Sequence, residues 1–145
     1  MQPLLRPSEA DRIYAAGFFD GEGSIVITQP SRTTSRLTVH AAQSVAAPLL
    51  WLRDRWGGSI RWRPARGRRR ASGQWQLASR AGLAFLIDVR PWLIVKADQA
   101  DVAVLFASTR RHPGRLRWDL TDREANVLEG STARLRLIEL RKEAV

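Results

Sequence analysis

The most constraining feature of the sequence is the run YAAGFFDGEG at residues 14–23, where small and aromatic residues precede two acids, each followed by glycine. Ser8 and Asp11, just upstream, have the spacing of a capping box, with Asp in the place usually held by Glu or Gln. Helical spacing continues from there to Asp20, and the two glycines of the run are expected to stop the helix. The feature therefore predicts a helix that delivers acidic side chains to its C-terminal end.

The remainder of the chain is typical of two hairpins, each followed by a helix. Strands are predicted at residues 24–30, 36–43, 59–63 and 74–78. Helices are predicted at 46–56, from a capping Ser79 to Val89, at 97–108, and from a Thr121–Glu124 capping box onward with a break near Gly130. The coarse order αββαββαα predicts an α+β fold in one domain, 1–145. Its four-stranded antiparallel sheet would carry helices on one face and leave the other face open.

The charge balance indicates a polyanionic partner. The chain has 24 basic and 14 acidic residues, a net charge of +10, and all its basic residues except Lys96 and Lys142 are arginine. Arginine presents a planar fork that suits phosphate oxygens and the edge of guanine. The alternative is an arginine-rich proteome from a GC-rich genome, which explains the choice of arginine better than it explains the net excess.

Several functional classes are excluded or disfavoured by composition. The sequence has no cysteine, which excludes disulfides, zinc–thiolate sites and thiol catalysis, and His40 and His112 are too few for a histidine-based metal cluster. The N-terminus does not have the pattern of a signal peptide, and no apolar run approaches the roughly 20 residues needed to span a bilayer. We therefore expect an intracellular protein, cytoplasmic or organellar, without a membrane partner.

The two acids of the run are candidates for a cation site. A helix C-terminus carries partial negative charge and unpaired carbonyls, so Asp20 and Glu22 would be destabilised there unless a cation binds. Carboxylate and carbonyl oxygens are the ligands that Mg²⁺ prefers. The alternative is that DGEG is only a helix stop before a strand.

The run resembles the motif of the LAGLIDADG homing endonucleases. Ala16 and Gly17 match its small pair, the two phenylalanines match its apolar pair, and residues 20–23 match its acid–small–acid–glycine ending; Ala15 replaces the usual leucine. The resemblance implies an intron-encoded, site-specific endonuclease that makes double-strand breaks in DNA with Mg²⁺ or Mn²⁺. Glu22 would be the catalytic metal ligand, together with the carbonyl of Gly21, and Asp20 is a further candidate ligand.

The resemblance also implies a homodimer. In the family this helix packs against its counterpart in a second copy, which here would place Ile13, Ala16, Gly17 and Asp20 in the interface. Residues 82–91, GLAFLIDVRP, contain a similar string, but the residues after its acid include neither another acid nor a glycine. One motif in 145 residues implies two identical subunits on a near-palindromic target.

Two further residues match catalytic positions of the family. Lys96, within 90–100, falls where a lysine lies near the scissile phosphate, and Gln43 matches a polar residue that orients water. A basic residue often found near the start of the second helix has no match, since alanines stand at 46 and 47. Its function is expected to be missing or to come from elsewhere, such as Arg53 or the 66–70 loop.

Strands alternate faces at every second residue, so one face of the sheet is expected to be mostly polar and to read DNA bases. The residues predicted on this face are Ser24, Val26, Thr28, Arg36, Thr38, His40, Arg61, Arg63, Gln74 and Gln76. The opposite face, predicted to be core, has Ile25, Ile27, Leu37, Val39, Ile60, Trp62, Trp75 and Leu77. The loop arginines Arg66, Arg68, Arg69 and Arg70 suit phosphates better than bases.

Two other functional hypotheses stay open at this stage. One is a non-catalytic nucleic-acid binder on the same fold, either an intron RNA maturase or a DNA-binding regulator. The other is an unrelated basic α/β domain. Retention of both acids and of Lys96 favours the endonuclease.

Overall fold

The computed structural model describes residues 5–31, 34–109 and 120–143. Four strands form one sheet: β1 Gly23–Ser31, β2 Thr34–Gln43, β3 Ser59–Arg63 and β4 Ser72–Ala78. The helices are α1 Glu9–Glu22, α2 Ala46–Trp56, α3 Ser79–Val89, α4 Ala97–Thr109 and α5 Leu120–Glu143, with a short 3-10 turn at Arg90–Trp92. The predicted α+β order is confirmed.

The sheet is antiparallel throughout, with the strand order β1-β2-β4-β3. The two hairpins therefore meet along β2 and β4, where Val39 pairs with Leu77 and Ala41 with Trp75. These pairs lie on the face that the helices cover, and all four side chains are buried. The alternation of buried and accessible residues along β2 and β4 confirms the prediction of one core face and one open face.

One residue predicted for the core face is largely outside the core. Trp62 lies on the expected side of β3, and its ring rests against Gly73 so closely that a Cβ atom there would collide with it. The side chain is nevertheless 46% exposed. Because β3 is one of the two edge strands of the sheet, Trp62 lies at the border of the core, where the helices leave its side chain partly uncovered.

The first helix begins as predicted and ends later than predicted. Ser8 donates its N–H to the Asp11 carboxylate at 3.0 Å, and its hydroxyl accepts the Asp11 N–H at 3.1 Å, which confirms the capping box. The helix does not stop at Asp20; it continues to Glu22, and Gly23 closes it by donating its N–H to the carbonyl of Phe19. A side chain at position 23 would collide with the Phe19 ring, so this glycine is required for packing.

Two expectations about later helices were wrong. Ser79 does not cap α3: it is the first residue of the helix, with φ 54°, and no side-chain capping bond is present there. The last helix does not break at Gly130, because this residue is buried where the helix passes Ser35 and the ring of Phe106, 3.5 Å from a Cβ atom built at that position. The helix begins at Leu120, ahead of the predicted capping box, and the Thr121 and Glu124 side chains lie outside the described residues.

The end of α5 is fixed to the rest of the fold. Leu137 and Leu140 are buried, and Leu137 joins the main core cluster. The helix packs along α4, β1 and β2, so its last turn lies at the edge strand β1. Within the described ranges, none of the helices is long and apolar enough to cross a membrane.

Candidate active site and nucleic-acid interface

Glu22 is the last residue of α1, and its side chain is exposed at the point where the helix turns into β1. Gly21 is exposed beside it, with no atom within 4 Å of a Cβ built there. Among the residues that the structure describes, none forms an ion pair with Glu22. A carboxylate and a carbonyl are thus accessible together at the negative end of a helix.

The Asp20 carboxylate forms two hydrogen bonds that were not predicted from the sequence. One of its carboxylate oxygens accepts the N–H of Ile94 at 2.8 Å, and the other accepts the N–H of Lys96 at 3.0 Å. Both oxygens therefore hold the turn before α4. These bonds give Asp20 a structural role, and its role as a metal ligand stays a prediction; Glu22 is the more accessible of the two acids.

Lys96 lies at the same helix end. Its ammonium donates to the backbone carbonyl of Asp20 at 2.6 Å, so it pairs with one of the carbonyls that the end of α1 leaves unpaired. Burial lowers the pKa of Lys96; Asp20 and Glu22 oppose that shift, and the nearby Arg141 adds to it. The structure therefore brings the two predicted residues Glu22 and Lys96 together.

Gln43 lies at this end of the sheet, and its side-chain oxygen already accepts a hydrogen bond. Because Gly23 pairs with Ala41, the end of β2 at Gln43 runs alongside the end of α1. The Gln43 side-chain oxygen accepts the backbone N–H of Ser44 at 2.8 Å and so supports the turn into α2, whose N-cap residue makes no side-chain capping bond. Gln43 therefore has a structural role in this turn, and its role in orienting water stays a prediction.

The donor set fits a hard divalent cation only in part. Glu22 and the carbonyl of Gly21 are oxygen ligands of the kind that Mg²⁺ binds. Across the described ranges, no group of three or more His, Asp or Glu residues is arranged to hold a metal ion. A cation bound here would therefore need further oxygens from water, from a phosphate or from a second copy of the chain.

The open face of the sheet has the register that the alternation predicted. Ser24 pairs with His40, Val26 with Thr38, and Thr28 with Arg36 across β1 and β2. His40 also pairs with Gln76, and Gln74 pairs with Arg61, which carries the face across β4 to β3. Ten predicted positions therefore form one continuous surface: Ser24, Val26, Thr28, Arg36, Thr38, His40, Arg61, Arg63, Gln74 and Gln76.

The members of this surface are not equally accessible. Arg61 and Arg63 are exposed, whereas Thr38 is only 6% exposed and has little side chain to offer a ligand. Burial, and secondarily Arg141, lowers the pKa of His40, which is half-buried. At neutral pH His40 is therefore mainly an uncharged hydrogen-bonding group, and the fully exposed arginines of this surface, Arg61 and Arg63, lie on β3, with Arg36 of β2 partly exposed.

The arginine-rich segment between β3 and β4 is an ordered turn. Arg66 and Arg69 exchange backbone hydrogen bonds of 3.0 Å in both directions. Gly67 has φ 59°, which closes the turn in a conformation that favours glycine. The turn exposes Arg66, Arg68, Arg69 and Arg70 just beyond the sheet. This arrangement presents a compact set of cations at one end of the open face.

The predicted interface residues of α1 include both exposed and buried positions. Ile13 is 44% exposed, and Gly17 has no atom within 4 Å of a Cβ built on it, so both lie on an open side of the helix. Ala16 is completely buried in the core of its own chain, which corrects its predicted place in the interface. The exposed Ile13 and Gly17 are one helical turn apart and mark the side on which another helix can approach closely.

One residue at the site was not predicted from the sequence. Arg141, near the end of α5, donates to the backbone carbonyl of Ile25 in β1, across 116 positions of sequence. No motif surrounds it, and its only sequence signal is a positive charge in the last turn of a helix. Its place beside the end of α1 depends on how α5 packs.

Neither a protein-family model nor a curated protein matches this sequence. Solved structures do match. The homing endonuclease I-CvuI, in complex with its target, aligns with a TM-score of 0.71 and 18% identity, over 91% of this chain and 82% of that chain. The archaeal intron-encoded homing endonuclease I-Vdi141I, complexed with DNA, gives a TM-score of 0.63 at 18% identity, with 93% and 84% of the two chains covered.

A longer neighbour matches over less than half of its length. The LAGLIDADG homing endonuclease I-GzeII, in complex with its DNA target, aligns with a TM-score of 0.63 and 16% identity, over 85% of this chain but 43% of that one. These identities are low, and what the structures share is the arrangement of helices on a four-stranded antiparallel sheet. The chain has the fold of the LAGLIDADG homing endonucleases, as the motif at its first helix predicted.

Proposed function

We propose that this chain is a site-specific DNA endonuclease that acts as a homodimer and cuts both strands of a near-palindromic target with Mg²⁺ or Mn²⁺. The observation that carries the proposal is the accessible Glu22 carboxylate at the end of α1, next to the Lys96 ammonium. An acid and a cation at a helix end, beside an open polar sheet face, form a set suited to a phosphate rather than to an apolar ligand.

The sheet face and the turn would bind the duplex. Arg61 and Arg63 are exposed on the face, where arginine forks can contact base edges in the major groove. The exposed arginines of the 66–70 turn suit the phosphates beside them. I-CvuI was solved in complex with its target and I-Vdi141I in complex with DNA, and both match most of this chain. This agreement supports DNA as the ligand of the open face.

Each residue of the catalytic set has a separate task. Glu22 and the carbonyl of Gly21 would hold the divalent cation; a bound cation supplies charge stabilisation to the phosphate. Lys96 is held at the helix end by its bond to Asp20 and would donate to a phosphate oxygen as negative charge develops. Its lowered pKa makes it a stronger acid than an ordinary lysine.

The homodimer would supply the second half of the site. One chain presents a single accessible acid at the end of α1, and a double-strand cut needs one such set for each strand. The open side of α1 at Ile13 and Gly17 allows close approach of a second helix. This chain spans 43% of I-GzeII but 82% of I-CvuI, which agrees with its being one of two comparable halves.

The test is selection of cleaved sites from a random duplex DNA library with Mg²⁺ present. We expect the recovered sites to share a near-palindromic consensus, with both strands cut at fixed positions and no cutting when the metal is chelated. The matched control is the Glu22→Gln variant, which should release no fragments. Failure of the wild type to cut any sequence, together with binding of structured RNA, would contradict the endonuclease and favour the maturase.

A further inference from the structure

The start of α2 provides no basic side chain at the site, since Ala46 and Ala47 stand there. The described structure has another cation close by. Arg141 comes one residue after the buried Leu140, in the last turn of α5. Its guanidinium donates to the carbonyl of Ile25, and the strand that contains Ile25 starts directly after Glu22. The last turn of α5 is therefore hydrogen-bonded to β1, the strand that begins directly after Glu22.

Arg141 also contributes to the pKa shifts of two residues on other elements of the fold. Burial is the main cause of the lowered pKa of Lys96, before α4, and Arg141 is the nearby cation that adds to the shift. Burial also dominates the lowered pKa of His40, on β2, and Arg141 again contributes. The hydrogen bonds give the same location: the guanidinium contacts the backbone of β1 at Ile25, three residues after Glu22, and the Lys96 ammonium contacts the carbonyl of Asp20, two residues before Glu22.

Packing of α5 against the rest of the fold fixes the position of Arg141. Gly130 lets α5 pass close to Ser35 and Phe106, and Leu137 anchors the helix in the core one turn before Arg141. The Arg141 side chain itself is exposed, so a ligand can reach it. A guanidinium has five N–H donors in a planar fork, which leaves donors for a phosphate beyond the bond to one carbonyl.

Lys96 and Arg141 thus place two hydrogen-bond donors with positive charge on the backbone on either side of Glu22. We propose that Arg141 is a further catalytic residue of this site: it donates to a phosphate of the bound DNA beside Glu22 and Lys96, and it provides the cation that the start of α2 lacks. The inference rests on the proposed endonuclease function. It replaces Arg53 and the 66–70 turn as the expected source of that cation.

The experiment compares Arg141→Ala and Arg141→Lys with Arg134→Ala. Arg134 is exposed on the same helix, seven residues or about 10 Å away along its axis, so its loss removes the same charge outside the site. Single-turnover cleavage is measured at saturating DNA, and DNA affinity is measured separately with Ca²⁺ in place of Mg²⁺. Thermal unfolding of each variant is recorded alongside.

We expect Arg141→Ala to cut about 100- to 1000-fold more slowly, by analogy with removal of one donor to a developing charge. Affinity and the unfolding midpoint should stay near those of the wild type, and Arg134→Ala should cut normally. Arg141→Lys should recover part of the rate, because a point charge replaces the fork. Added guanidinium ion should also rescue Arg141→Ala, which a purely structural role of the arginine would not allow.

Three results would overturn the inference: a normal rate for Arg141→Ala, an equal loss in Arg134→Ala, or a slow Arg141→Ala variant with a lowered unfolding midpoint and no rescue by guanidinium. A wild-type protein that cuts no DNA would overturn the proposed function and this inference with it. That failure is distinguishable, because it is seen before any variant is made.

Discussion

Asp20 and Lys96 hold each other through two hydrogen bonds: the Lys96 N–H donates to the Asp20 carboxylate at 3.0 Å, and the Lys96 ammonium donates to the Asp20 carbonyl at 2.6 Å. The residues are 76 positions apart in sequence. The first acid of the motif thus orients the lysine of the site, while the second, Glu22, stays accessible. The two acids therefore differ in their surroundings: the Asp20 carboxylate accepts two backbone N–H groups, and the Glu22 side chain is exposed.

The structural role of Asp20 predicts a stability cost for its amide variant. In Asp20→Asn one side-chain oxygen is replaced by an NH₂ group, which cannot accept the N–H of Ile94 or Lys96. We expect the free energy of unfolding, measured with urea, to fall by about 1.5–3 kcal/mol, the usual range for hydrogen bonds to charged groups. Asp98→Asn, exposed in the first turn of α4, is the control and should change little. Equal stability of Asp20→Asn and wild type would show that the turn does not depend on the carboxylate.

The open side of α1 predicts that Gly17 is needed for assembly rather than for folding. No atom lies within 4 Å of a Cβ at this position, so Gly17→Arg should fold normally and gain helix propensity. The long side chain would hold two copies of the helix apart. We expect a folded monomer by analytical ultracentrifugation and circular dichroism, whereas Ala84→Arg, at an exposed position of α3, should remain dimeric. A Gly17→Arg dimer would place the interface elsewhere.

The register of β3 against β4 predicts a specificity role for Arg61, which pairs with Gln74 on the open face. In Arg61→Ala, preference at one or two base positions should relax, at a cost of about 1–3 kcal/mol each. Binding to a panel of targets with single base changes measures this. Arg80→Ala, exposed on α3, is the matched control. Uniform weakening on every target would mean that Arg61 contacts only phosphates.

Local pattern was sufficient to predict the sheet and the accessible acid. The alternation along β2 and β4 decides which side chains meet the helices, and the acid–glycine run identified Glu22 at the end of α1. Strand and helix ends were less predictable. The helix continues past Gly21 to Glu22 and is closed by Gly23, so of the two glycines in the run only the second ends it.

Features that depend on tertiary packing could not be predicted. Ala16 and Gly17 are both small, and sequence alone does not tell which faces the core and which faces outward. Trp62 was assigned to the core by its alternation, but the edge position of β3 leaves it partly exposed. Arg141 reaches the site only because α5 runs unbroken past Gly130, where a glycine had suggested a break.

The most direct test of the central claim is the Glu22→Gln variant on a target that the wild type cuts. The amide keeps the size of the side chain and removes the charge that would hold the cation. The account predicts complete loss of cleavage with Mg²⁺, while the dissociation constant for the uncut target stays close to that of the wild type. Cleavage by Glu22→Gln, or loss of DNA binding together with cleavage, would contradict it.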